Sequence, residues 1–85
     1  MAYRVIWTED AENDLAAVWV NSANRPAVSE TIHSLERDLR LSPLSLGESR
    51  GSSVERIVVC RPIGLSFLVV VDDEKVFVNA VVLIE

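Results

Sequence analysis

Apolar and polar positions change rhythm several times along this 85-residue chain. Tyr3-Arg4-Val5-Ile6-Trp7 is a short β-branched and aromatic run, which predicts a strand. Thr8 follows as a helix N-cap, with Glu9 and Asp10 suited to the positive end of a helix dipole. Ala11, Leu15, Val18 and Trp19 then recur at helical spacing, fading near Asn21-Ser22. Asn24-Arg25-Pro26 opens a second helix, since proline is tolerated in a first turn where its missing N–H is not needed. Val28, Ile32, Leu35 and Leu39 form its apolar stripe. So short a link between two helices predicts an antiparallel hairpin.

Residues 42–53 are rich in Ser and Gly, contain Pro43, and read as a loop. Three further strands are expected at about 54–61, 64–72 and 75–84, with turns at Arg61-Pro62-Ile63-Gly64 and Asp72-Asp73-Glu74-Lys75. If Asp73-Glu74 is a two-residue loop, Val71 faces Val76, Val69 faces Val78, Phe67 faces Ala80 and Leu65 faces Val82. Directly opposed residues share a face, so this wholly apolar set is assigned to the side under the helices. The other face carries Ser66, Leu68, Val70, Phe77, Asn79, Val81 and Leu83 and is also mostly apolar. Two helices cover one side of a four-stranded sheet. Leu68, Val70, Phe77, Val81 and Leu83 are therefore the expected partner-binding surface, a homodimer being one way to cover it. A loop such as 42–53 folded across that face is the alternative. The expected fold is α+β in the order β-α-α-β-β-β, one domain over residues 1–85.

Composition narrows the classes. A 49% apolar and 25% charged chain is not disordered by composition. No apolar run approaches the roughly 18 residues a membrane helix needs, and the N-terminus has no signal-peptide core. The single cysteine, Cys60, has no internal disulfide partner and reads as a small buried hydrophobe. No Cys/His spacing fits a metal site, no cofactor motif is present, and a reducing, cytoplasmic compartment is expected. Trp7 and Trp19 read as core aromatics at the strand–helix junction, and His33 as a surface or helix–helix residue.

The net charge is −5, against the basic balance of a generic nucleic-acid binder. Residues 1–36 carry −4 and residues 62–85 carry −3. Only residues 37–61 are positive, at +2, through Arg37, Arg40, Arg50, Arg56 and Arg61 against Asp38, Glu48 and Glu55.

With these elements placed, the chain resembles the RelE/ParE superfamily, bacterial toxins of type II toxin–antitoxin (plasmid-stabilisation) systems. The resemblance rests on Tyr3-Arg4-Val5, on Ala11 with Asp14-Leu15, and on Leu35, Leu39, Ser42-Pro43 and Gly47 in that order. It continues through Val54-Glu55-Arg56-Ile57-Val58-Val59, Leu65-Ser66-Phe67-Leu68-Val69-Val70 and Asp73-Glu74-Lys75-Val76-Phe77-Val78. It implies a helical hairpin on one face of a four-stranded, mainly antiparallel sheet, and a cognate antitoxin that wraps the toxin. Two targets are implied: RelE-like members cut messenger RNA on the ribosome, and ParE-like members inhibit DNA gyrase.

RelE-like cleavage is metal-independent and uses the RNA 2′-hydroxyl as nucleophile. It needs a base for that hydroxyl, cations for the phosphorane charge and an acid for the leaving oxygen. Arg56 matches a basic position of the family's second strand, where it reads as a phosphate clamp or as a salt bridge across the sheet. Arg50 in the glycine-bearing loop and Arg61 at the strand end are the other catalytic candidates. Arg56 and Arg61 are an odd number of residues apart, so a regular strand points them to opposite faces, with Arg61 beside Ser66 and Leu68 on the open one.

The departures weaken the nuclease reading. Gly64-Leu65 stands where many members have an arginine, and Phe67 where they have tyrosine. A His, Tyr or basic tail after the last strand is missing, the chain ending Leu83-Ile84-Glu85. A toxin directed at gyrase or another protein is therefore expected ahead of a ribonuclease. The alternative is a non-toxic descendant acting as an interaction module or homodimer.

Overall fold

The structure is a computed structural model, and it describes residues 2–49 and 55–84, with the side chains of residues 48 and 49 left aside. Strand β1 (Arg4–Trp7) leads into helices α1 (Glu9–Asn21) and α2 (Arg25–Leu41). A single 3-10 turn (Pro43–Ser45) and a two-residue strand β2 (Glu48–Ser49) follow. Strands β3 (Glu55–Cys60), β4 (Ile63–Val70) and β5 (Lys75–Leu83) complete the chain. The sheet order is β1-β5-β4-β3-β2; β1 lies parallel to β5 and all other pairs are antiparallel. The expected β-α-α-β-β-β order holds, with β2 added at the edge inside the segment expected to be loop.

Both helix starts follow from their caps. Thr8 Oγ1 accepts from the Ala11 N–H at 3.1 Å, and Asn24 Oδ1 accepts from the Ala27 N–H at 3.2 Å, with Pro26 in the first turn of α2. Each side chain satisfies a donor that the helix itself leaves unpaired. The helices pack on one sheet face. Ala11 and Val18 from α1 and Val28, Leu35 and Leu39 from α2 are buried there. They meet Ile63, Leu65, Phe67 and Val69 of β4 and Val76, Val78 and Val81 of β5.

The last hairpin departs from the expected register. Val70 pairs with Lys75, Val69 with Val76 and Phe67 with Val78, so the turn is a four-residue loop, Val71 to Glu74. Glu74 takes the left-handed conformation at φ 52, its N–H donating to the Val71 carbonyl at 3.1 Å. The register then shifts. Phe67 pairs with Val78 but Ser66 with Ala80, leaving Asn79 as an unpaired bulge residue. Past the bulge the alternation of β5 inverts. Val81 pairs with Leu65 and Leu83 with Ile63, on the side under the helices.

Two contacts from α1 straddle this bulge. The Thr8 N–H and hydroxyl both donate to the Val78 carbonyl, at 3.1 and 3.0 Å. Asp14 Oδ2 accepts from the Val81 N–H at 3.2 Å. The β1 pairing ends at Trp7 opposite Val78, so the Val81 N–H has no β1 partner, and the carboxylate takes the place of a strand.

Candidate functional site

Among the described residues, the arginines of the basic segment do not converge on one point. Arg56 lies on β3 opposite Phe67, hence on the helix-covered side. Its Nε donates to the Leu46 carbonyl at 2.7 Å and its Nη2 to the Gly47 carbonyl at 3.1 Å. These two bonds anchor the segment after α2 to the sheet. Gly47 has φ +63 and sits so close to β3 that an added Cβ would collide with the Ile57 carbonyl oxygen, which is why glycine stands there. Arg61 is exposed in the β3–β4 turn, next to Pro62 and a cis Arg61–Pro62 bond. Five residues of strand separate it from Arg56 by about 16 Å. Arg37 lies 3.9 Å from Asp38 in an exposed pair, the kind that contributes little. Arg50 lies outside the described residues.

The other sequence expectations divide. Phe67 is fully buried, so a hydroxyl at this position would point into the core and not toward a substrate. Gly64 is buried on the opposite side, where an added Cβ would meet Ile84 Cδ1 at 2.9 Å and Val82 Cγ2 at 3.1 Å; an arginine there has no room without displacing them. Cys60 is exposed, contrary to the buried reading, because β3 ends there at the sheet margin. Among the described residues no cluster of His, Cys, Asp and Glu is arranged to hold a metal ion.

Two apolar surfaces remain. The sheet face away from the helices carries Ile6, Phe77 and Leu68 in one cross-strand row, with Val70, Ile57, Val59 and Val82 around them. Val59 and Val82 are well exposed and the others half-buried. Of the expected partner surface, Leu68, Val70 and Phe77 lie on this face. Val81 and Leu83 do not. The Asn79 bulge turns both toward the helices, Val81 into the core at 3% exposure and Leu83 packed against it.

The second surface was not anticipated. A groove of about 590 Å³ runs between α1 and α2, with Leu15, Trp19, Val28 and Ile32 among its lining and Glu12, His33 and Glu36 as its titratable groups. Trp7 is half-buried beneath it and its Nε1 donates to Glu36 Oε1 at 3.2 Å. Trp19, expected in the core, is 42% exposed on the groove. Leu15, Val18 and Trp19 lie at i, i+3 and i+4 on α1, an ordinary core-facing stripe, so the sequence did not set Trp19 apart.

The architecture has close counterparts among solved structures. A chain of the toxin–antitoxin complex RelBE2 from Mycobacterium tuberculosis superposes with a TM-score of 0.78 at 18% identity, covering 98% of this chain and 99% of that one. A chain of the chromosomal ParDE system from P. aeruginosa gives 0.71 at 16% identity, covering 99% and 98%. The chain has the RelE/ParE toxin fold. A mutant of E. coli toxin RelE in the free state also matches it, at a TM-score of 0.68 and 21% identity, covering 95% of this chain and 82% of that one. No protein-family model matches the sequence, and no curated protein matches it. Among the described residues, no helix is long and apolar enough to cross a membrane.

Proposed function

We propose that this chain is the toxin-like member of a toxin–antitoxin pair, held in check by a small cognate antitoxin, with a protein as its target. The observation that carries the reading is the end-to-end match to a chain of a toxin–antitoxin complex, 98% of this chain against 99% of that one. A protein target, DNA gyrase among the candidates, is favoured over messenger RNA by the state of the basic groups. Arg56 is engaged by two backbone carbonyls. Arg61 is exposed on a turn, and Phe67 and Gly64 are buried where cleavage chemistry would need accessible polar groups. A chain of net charge −5 also repels an RNA backbone. The readings separate by assay. Purified protein is expected to inhibit gyrase supercoiling, or another protein-dependent activity, while leaving ribosome-bound transcripts intact. Site-specific cuts in transcripts on the ribosome would reverse the order.

A second reading is favoured by the apolar sheet face away from the helices, around Phe77, Leu68 and Ile57: a non-toxic descendant that uses this face to pair with another protein or with itself. Harmless, abundant expression without any neighbouring gene would select it.

A further inference from the structure

We propose that the groove between α1 and α2 is the docking site for a basic amphipathic helix of a partner protein. Shape and apolar lining come first. Two antiparallel helices leave an open trough of about 590 Å³, and Leu15, Trp19, Val20 and Ile32 offer the apolar surface that a helix with i, i+3, i+4, i+7 anchors fills. Trp19 is the largest exposed apolar side chain there, and tryptophan is the residue most enriched at binding hot spots.

Charge selects the occupant. Glu12 and Glu36 line the groove and no Lys or Arg does; His33 is its one other titratable side chain. Among the described residues, neither carboxylate has a cation within 4 Å. Arg25, at the same end as Trp19, is already engaged: its Nε donates to the Trp19 carbonyl at 2.9 Å and its Nη2 to the Val20 carbonyl at 3.2 Å. The first turn of α1 adds Glu9 and Asp10, and its last turn has no basic residue. A nucleic acid or an acidic peptide meets like charge here. So does a second copy of this chain presenting its own acidic helices. Lysines or arginines flanking an apolar stripe meet unlike charge on both walls.

Under the reading proposed above, this helix belongs to the neutralising partner, but its chemistry is testable without that partner. Trp7 and Trp19 are the chain's two tryptophans and both line the groove, so tryptophan emission reports occupancy. Two synthetic 16-residue, tryptophan-free helices with identical leucine spacing serve as probes, one flanked by lysines and one by glutamates. The lysine peptide is expected to change the emission saturably and to bind at least about tenfold tighter than the glutamate peptide at low salt. That ratio should contract in 0.5 M salt, where screening shortens to a few ångströms. Glu12→Gln with Glu36→Gln should bring it below about threefold, and Trp19→Ala should weaken both peptides. Glu12→Gln alone, on an exposed position, keeps the test open if the Glu36 change disturbs Trp7. Equal binding of the two peptides, no saturable change with either, or a lysine preference untouched by the glutamine variants overturns the proposal. So does an emission change driven by the chain's own dilution, which would place a second copy in the groove. Growth arrest relieved by a neighbouring gene without peptide preference would remove the groove alone. Peptide preference without arrest would remove the toxin reading alone.

Discussion

Asp14→Ala should uncouple α1 from the bulged half of β5. In the parent, the carboxylate accepts the Val81 N–H at 3.2 Å, and Val81 is only 3% exposed. β1 has already ended at Trp7, so no strand can take over the donor. Removing the acceptor leaves a buried N–H unsatisfied, at about 1–3 kcal/mol, and a hydrogen bond to a charged group is worth about 1.5–3 kcal/mol. We expect a loss of about 2 kcal/mol. In a chain of this size that lowers the melting temperature by about 8–16 °C, and the urea midpoint by about 2 M if the slope is about 1 kcal/mol per molar. Asp14→Asn keeps a carbonyl acceptor and should lose about half as much. Urea unfolding of the three proteins gives the energies, and hydrogen exchange at the Val81 amide localises the effect. An Asp14→Ala protein within about 0.5 kcal/mol of the parent, inside the ordinary range for surface changes, refutes the reasoning. So does an asparagine variant no better than alanine.

Further expectations concern the turns and the arginine anchor. Arg56→Ala removes both bonds to the Leu46 and Gly47 carbonyls; unfolding should show a loss of about 1–2 kcal/mol, with any biological activity retained at a temperature where the variant is folded. Gly47→Ala forces a side chain onto the Ile57 carbonyl at φ +63 and should cost more than about 2 kcal/mol, read as a large drop in the denaturation midpoint. Glu74→Gly relieves the left-handed strain at φ 52 and should raise stability by about 0.5–1 kcal/mol in the same assay.

Local signals were legible in the sequence wherever one side chain decides the structure. Thr8 and Asn24-Arg25-Pro26 marked the helix starts because a cap depends on a few adjacent atoms. The four long strands and the single helix-covered face followed from alternation, while the two-residue edge strand β2 did not. The register of the last hairpin did not, because both faces of β4 and β5 are apolar and a slip of one residue costs little pattern. The Asn79 bulge and the four-residue turn were therefore invisible, and Val81 and Leu83 were assigned to the wrong side. Trp19 and Cys60 were read inward because composition ranks them as buried types, whereas their exposure depends on where α1 overhangs α2 and where β3 ends. Arg56 was read through its charge, although its planar donors suit the two carbonyls brought near it by the tight approach of Gly47. The groove could be found only once two helices were packed, since its lining alternates between them.

Growth of a bacterial host is the most direct test of the toxin reading. The chain is induced alone and together with its adjacent open reading frame, and soluble protein is measured in both cultures. Arrest with the chain alone, relieved when the neighbour is co-expressed, is the predicted result. Unchanged growth in the presence of abundant, soluble, folded protein would contradict it.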